Sequence, residues 1–418
     1  LELVIVKYQV LKAFNTWKDT DNMNIDKYSK YADNLIFDSQ NLVFSVGQAY
    51  KELQESIIKD PENINKYKKI YDKKIEKLAK EFDTQWKKWA DNDLAAVYIQ
   101  GIKDAENNLK KVGVNSSLTD SISNGRMLLK EFPPPPGIPE IPGQISMLFS
   151  GKYADHETFF GVFRQSAYYS LDGQQVQIMR YSDDLFRKTT TMVAENNFNE
   201  LDIFTRRKFS QELLDEFARN GVKSITYKNG AKYSIDTYSE MVGRTLTSRC
   251  AIQANLNRYM QSGWDLVIVS AHFMCCELCS PYEGQTLSIN PGHSVYESLD
   301  DAIRNGLYHC SCVHDLSPFF EGISEEINPS MSGYETDLVN ESGYDEAQKI
   351  AYQAKEKQRY IERKIRNYKR RESVSLDNKS KEFSNSKVRE WQSKQREHLK
   401  ENPYLPRKYE REQIKRAH

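Results

Sequence analysis

The chain has six cysteines in 418 residues, and all of them fall between Cys250 and Cys312. Five of the six join two histidines in two short runs, Cys275-Cys276-Glu277-Leu278-Cys279 and His309-Cys310-Ser311-Cys312-Val313-His314. Thiolate and imidazole are the donors zinc prefers, and two short-spaced pairs close a loop onto one tetrahedral ion. Cys276 and Cys279 form the first pair, because a two-residue gap lets both sulfurs face one ion. Cys312 with either His309 or His314 forms the second. Cys275, Cys310 and His272 are second-choice ligands. A structural zinc is the expectation, since neither a His-Glu-x-x-His nor a His-x-Glu arrangement of a catalytic zinc is present. Two other readings compete with it. A redox Cys-x-x-Cys wants a strand before it and a helix after it. Leu266-Val267-Ile268-Val269-Ser270 supplies the strand, but Ser280-Pro281-Tyr282-Glu283-Gly284 reads as a turn. The other competitor is a set of free thiols packed in a small core.

The elements that must position these residues read as follows. Residues 1–130 form a helical region, with apolar residues at helical spacing in Ile70, Ile75, Leu78, Phe82, Trp86 and Trp89, a stripe that reads as a core face. Gly101 weakens the helical pattern locally, and Val112-Gly113 marks a stop. Residues 131–145 hold six prolines within Pro133–Pro142 and read as a stiff, extended linker. A central α+β domain covers 146–330. It opens with helical segments over Phe159–Tyr181 and Asp183–Asn197, then a helix from Phe209 that Asn220-Gly221 ends. A hairpin pairs Val222–Tyr227 with Ala231–Ile235 around Lys228-Asn229-Gly230. A helix follows through Met260, capped by Asp236 or Thr237. Leu266–Ser270 is a buried strand, and 299–305 is a short helix ended by Asn305-Gly306. Residues 331–418 are charged and helical, with Gly343–Arg371 and Lys387–Lys400 separated by a polar break at 374–386. The fold class is mainly α with a small α+β domain that carries the metal clip.

Composition agrees with extended helices around a modest core. Apolar residues make up 39%, charged residues 28%, and mean hydropathy is −0.72. No run of eighteen apolar residues exists, so no membrane span is expected. Leu1–Lys7 is too short and too charged for a signal peptide, and clustered cysteines without one fit a reducing compartment. Formal net charge is zero, yet Ala351–His418 holds 21 Lys+Arg against 10 Asp+Glu, a surplus of 11 that the rest of the chain offsets. Such a tail suits nucleic acid or an acidic protein surface.

Six motifs then fall in order: Asn220-Gly221-Val222, the hairpin with Tyr233-Ser234, Tyr238–Thr245, Trp264–His272, Cys279–Gly284 and Gly306–His314. Together they resemble the minor capsid protein family of tailed bacteriophages, which is related in theme to the head-morphogenesis proteins of phage Mu type. The resemblance covers residues 150–325 well and the flanking helices more loosely. It implies a structural virion component, made in the host bacterial cytoplasm, that sits inside the head at the portal vertex. Portal protein, major capsid protein and the packaged DNA are the partners it implies. The family's second ligand group resembles His-x-x-Cys-x-His. This sequence keeps His309, Cys312 and His314 and adds Cys310.

Two further functions compete. An ADP-ribosyltransferase-like enzyme would draw on Arg244, Ser234 and Glu240, which lie too close in sequence for the usual three-segment cleft, so no enzyme is expected. A DNA-reading zinc module would place several basic residues between Cys279 and His309, where Arg304 stands alone.

Overall fold

A computed structural model describes residues 26–111 and 156–414, apart from 224, 227–229, 231, 291, 311, 323 and 325–336. The proline-rich stretch, Val112-Gly113 and the hairpin's Lys228-Asn229 lie outside the described residues. The fold is mainly α with a small antiparallel sheet, as the sequence implied. The chain forms two compact units, each gathered from segments far apart in sequence.

The first unit takes its described residues from 26–33, 88–111, 156–170 and 241–352. It contains the start of α1 (Asp26–Lys59), a π-turn at Trp89–Asp93, α3 (Leu94–Lys111), α4 (His156–Leu171) and α7 (Ile235–Gln261) from Met241 onward. Here α2 denotes Ile64–Lys88. The core of this unit is aromatic and aliphatic, with Tyr28, Trp89, Val97, Tyr98, Phe160, Phe163, Leu246 and Ala254 buried. Gly101 weakens the helical pattern, yet it lies within α3 for a reason of packing. A Cβ there would sit 2.8 Å from both the Ala251 carbonyl and the Ala254 methyl of α7. Two buried polar contacts lie inside this unit: Asn257 donates to the Tyr98 hydroxyl at 2.7 Å, and Arg258 lies 3.5 Å from Glu106 with both side chains buried.

Beside this helical layer lies a three-stranded sheet of β3 (Leu266–Val269), β4 (Thr286–Ser288) and β5 (Leu316–Pro318), in the order β4-β3-β5. Val267 faces Leu287 on one side and Pro318 on the other. All four residues of β3 are buried, which is why that segment reads as an unbroken apolar run rather than an alternating one. Pro318 ends an edge strand, where the missing N–H costs no ladder bond. The unit is completed by α8 (Leu299–Arg304), α9 (Asp337–Ser342) and the first turns of α10 (Tyr344–Ser373).

The second unit takes its described residues from 34–87, 171–240 and 353–414. It contains the rest of α1, α2 up to Lys87, α5 (Gln174–Glu195), α6 (Ile203–Asn220), the hairpin β1 (Ile225–Thr226) and β2 (Lys232–Tyr233), and the first turns of α7. The rest of α10 and α11 (Asn378–Glu401) complete it. The buried stripe of α2 is Tyr71, Ile75, Ala79, Phe82 and Trp86. Ile70, counted in the stripe from sequence, is instead half exposed, because Tyr71 takes the inward position. The break between the two middle helices falls at Gly173, whose left-handed φ of 76° ends one helix and starts the next. The sequence reading placed it near Ser182, which lies inside α5 and is buried. The hairpin is present with Ile225 opposite Tyr233; among the described residues its strands are Ile225–Thr226 and Lys232–Tyr233, and Ile235 already opens α7. Gly221 ends α6 at φ 64° as read. In the tail the break is only 374–377, because Asp377 caps α11 by accepting from Ser380 N at 2.7 Å. The polar run after it belongs to a helix that is largely exposed there but buries Ser384 and packs Val388 against Ile361 and Ile365.

Candidate metal centre

Two loops of the first unit carry the cysteines and histidines. The first leaves β3 and returns to β4. Its neck is closed by Gly284 N donating to Val269 O at 3.0 Å and Val269 N donating to Gln285 O at 3.0 Å. Inside it, Cys279 N donates to Cys276 O at 3.2 Å and Ser280 N to the same carbonyl at 3.0 Å, so the Cys-x-x-Cys segment is a tight turn. Pro281 then opens a short 3-10 turn, Ser280–Tyr282. The turn read from sequence after the second cysteine is therefore present, and the helix that a redox motif requires is not.

The second loop leaves α8, which Ser298 caps by accepting from Asp300 N at 3.1 Å. Asn305-Gly306 ends that helix as read, with Gly306 at φ 120°. Tyr308 adopts φ 57°, a left-handed conformation that costs a non-glycine residue roughly 1–3 kcal/mol. Its carbonyl accepts from Arg249 Nε at 3.2 Å and Nη2 at 2.6 Å, which holds that conformation. Cys312 N then donates to His309 O at 3.1 Å, closing a second tight turn.

The side chains converge. Cys276 Sγ is 2.8 Å from His309 Nε2, Cys279 Sγ is 3.6 Å from Cys312 Sγ, and Cys312 Sγ is 3.2 Å from His314 Nδ1. Three trios each bring one donor atom per residue within 4.8 Å: Cys276, Cys279 and His309; Cys279, Cys312 and His314; His272, Glu283 and His314. All five first-choice residues are thus gathered, and these groups could bind a metal. Of the second-choice residues, His272 joins the third trio. Cys275 Sγ lies 3.5 Å from His314 Nε2 but belongs to no trio. Cys310 also belongs to none, and its sulfur is 3.3 Å from Thr245 Oγ1.

The electrostatics show why such a cluster suits a cation. Hydrogen bonds from Cys275, Cys279 and His309 hold the Cys276 thiol far below its ordinary value, against burial. Burial pushes Cys312 up, but hydrogen bonds from Cys279 and His314 outweigh it and hold that thiol low. Cys275 and Cys279 are correspondingly pushed up, since each sits beside a sulfur that already carries the charge. Burial would lower His314, yet Cys312 and Glu283 raise it to about 9. Burial and the neighbouring His314 push His272 down to about 4. A metal ion removes the mutual repulsion and lets every coordinating thiol ionise.

The sequence reading missed the groups that support the loops. Glu283 is 5% exposed; it accepts from His272 N at 2.8 Å, and its Oε1 lies 3.2 Å from His314 Nε2. Gln348 of α10 donates to Glu283 Oε2 at 3.1 Å and accepts from Cys275 N at 2.9 Å. From α7, Ser248 donates to Cys312 O at 3.3 Å, alongside Arg249 and Thr245. The last three were findable, since polar residues at i, i+3 and i+4 on a buried helix face must meet partners. Gln348 carried no local signal.

A family model described as phage minor capsid protein 2 matches residues 178–400. The chain is 26% identical over 248 residues to a structural protein of Lactococcus phage LL-H, a match covering 56% of this chain and 62% of that protein. It is 33% identical over 129 residues to a structural protein of Lactococcus phage mv4, covering 30% of this chain and 94% of that one. The chain thus matches less than two thirds of the LL-H protein's length. No solved structure matches the chain.

Proposed function

The chain belongs to the phage minor capsid protein 2 family and is a virion component, and from that premise we propose that it is a structural protein docking at the portal vertex inside the head. The observation that carries this reading is the extent of the family match. It spans both cysteine loops, α10 and most of α11. The proposed role is scaffolding without turnover. Cys312, His314 and Glu283 line up as a nucleophile, base and orienting acid would. All three are nonetheless at most 8% exposed, which supports a structural role over a catalytic one.

In this reading the Cys/His cluster holds a structural zinc, and its binding free energy is folding free energy for loops that have little regular structure of their own. The partners are the portal protein and the major capsid protein. Packaged DNA is a further partner for the basic tail. Several of its cations are engaged within the second unit: Arg370 with Asp236, Arg371 with Asp215, and Arg407 with Glu412. Exposed Arg389, Arg396 and Lys400 recur at seven and four residues along α11 and share one face, which suits a phosphate backbone. Among the described residues no helix is long and apolar enough to cross a membrane.

The test is co-expression with the portal protein of the same genome, with metal measured on the purified sample. A defined complex carrying about one zinc per chain is expected. No complex, together with absence from purified particles, overturns the docking reading.

A further inference from the structure

We infer that the zinc site is a three-thiolate, one-imidazole centre of Cys276, Cys279, His309 and Cys312, and that His314 is a positioning residue held by Glu283. The inference rests on the structural-zinc reading above and deepens it.

The first observation is a likeness between the two loops. Cys276-x-x-Cys279 and His309-x-x-Cys312 are both ligand-x-x-ligand segments closed by a hydrogen bond from the fourth residue's N–H to the first residue's carbonyl, at 3.2 and 3.1 Å. Each such turn presents its first and last side chains on one side. The two turns meet at Cys279, which shares one donor trio with Cys276 and His309 and another with Cys312, and closing them further would bring four donors to one ion. His314 lies beyond the second turn, in the extended segment entering β5.

The second observation is spacing. Zinc–sulfur bonds of about 2.3 Å on a tetrahedron separate two sulfurs by about 3.8 Å. Cys279 Sγ and Cys312 Sγ, one from each turn, are 3.6 Å apart. They form the edge that joins the two halves.

The third observation concerns the two histidines. His309 Nδ1 lies 2.8 Å from its neighbour's carbonyl, Cys310 O. That carbonyl can only accept, so Nδ1 carries a proton, and Nε2, 2.8 Å from Cys276 Sγ, is the nitrogen left to face a metal. This is the arrangement of a metal-binding imidazole with its outer nitrogen on a carbonyl. His314 is engaged on both sides instead, with Nδ1 3.2 Å from Cys312 Sγ and Nε2 3.2 Å from Glu283 Oε1. Its own backbone N–H also points at Cys312 Sγ, at 3.4 Å. The Cys312 sulfur therefore has a backbone N–H donor and the His314 ring packed against it, the kind of support a metal thiolate takes from its surroundings. Glu283 is fixed in turn by Gln348 and by the His272 N–H. The imidazole and carboxylate are 2% and 1% exposed, so their contact is shielded from water.

The test uses the full chain purified under reducing conditions with zinc, with bound metal counted and the coordination shell read by X-ray absorption. Wild type is expected to hold one ion with three sulfurs and one nitrogen. His309→Cys is expected to keep the ion and change the shell to four sulfurs. His314→Gln is expected to keep the wild-type shell while competitor titration shows affinity falling about 10- to 100-fold, the usual scale for outer partners. Glu283→Gln should lower affinity in the same range without altering the shell. A wild-type chain that binds no stoichiometric metal overturns the structural-zinc reading itself. Metal present with its nitrogen lost in His314→Gln, or two ions per chain, overturns only this ligand assignment.

Discussion

The two compact units stand on different physics. In the second, stability is spread along helices: the α2 stripe, the Ile361, Ile365 and Val388 cluster, and the Tyr50 hydroxyl 3.1 Å from Thr189 each add a modest share. In the first, a helical layer coexists with two loops that have little regular structure and converge on a handful of sulfur and nitrogen atoms. Distributed burial degrades gradually when one residue changes. A convergent point fails at once. In the proposed reading, a cation would do for the cysteine loops what apolar area does elsewhere in a chain of low mean hydropathy.

The largest effect is expected from Cys279→Ser, since Cys279 belongs to two of the three donor trios. Metal-linked folding is worth on the order of 10 kcal/mol in small zinc domains, so loss of the ion should cost the loops several kcal/mol. Hydrogen exchange should show 271–315 losing protection while the helices of the second unit keep theirs. Equal loss in both units would break the comparison.

Arg370→Ala asks whether the second unit also hides a convergent point. Arg370 Nη1 is 3.0 Å from Asp236 Oδ2, and the Ser234 hydroxyl donates to the same carboxylate. Removing one partner of a buried pair costs about 3–5 kcal/mol. Denaturant melts should show that loss with metal content unchanged. The pair also sets a pH response. Burial pushes the Asp236 carboxyl up, but Arg370 and Ser234 outweigh it and hold it below its ordinary value. A depressed carboxyl stabilises the fold above its unfolded pKa of about 3.9 and loses that contribution as pH falls through the lower folded value. Acid melts of wild type should steepen below about pH 4, and Arg370→Ala should flatten that slope.

Gly101→Val tests the helical layer of the first unit apart from its loops. The added methyls meet the Ala251 carbonyl and Ala254. Overpacking of this kind costs about 1–3 kcal/mol, and melts should show it without loss of metal. Asp202→Ala should have the smallest effect. Its carboxylate caps α6 by accepting from Phe204 N at 2.8 Å and Thr205 N at 3.1 Å, and losing such a cap costs about 1 kcal/mol. Thermal melts that moved as far for this variant as for Arg370→Ala would contradict the picture of distributed stability in the second unit.

Much of this was legible in the sequence, for reasons of short range. Side chains three or four apart share a helix face, so the stripe through Ile75, Phe82 and Trp86 could be read. Asn220-Gly221 and Asn305-Gly306 announced their helix ends, because few residues tolerate the backbone that follows. A two-residue gap put Cys276 beside Cys279, and His309 beside Cys312. Where local signals competed, the reading slipped: Ile70 for Tyr71, Ser182 for Gly173, and a long polar break where Asp377 starts a helix. Tertiary structure alone decided the rest. It brought Gln348 and Glu283 together across 65 residues, pressed α7 onto Gly101, and gave each histidine its neighbours. Periodicity fixes which face a side chain occupies. It does not fix which distant face it meets, because that depends on the path of the whole backbone between them.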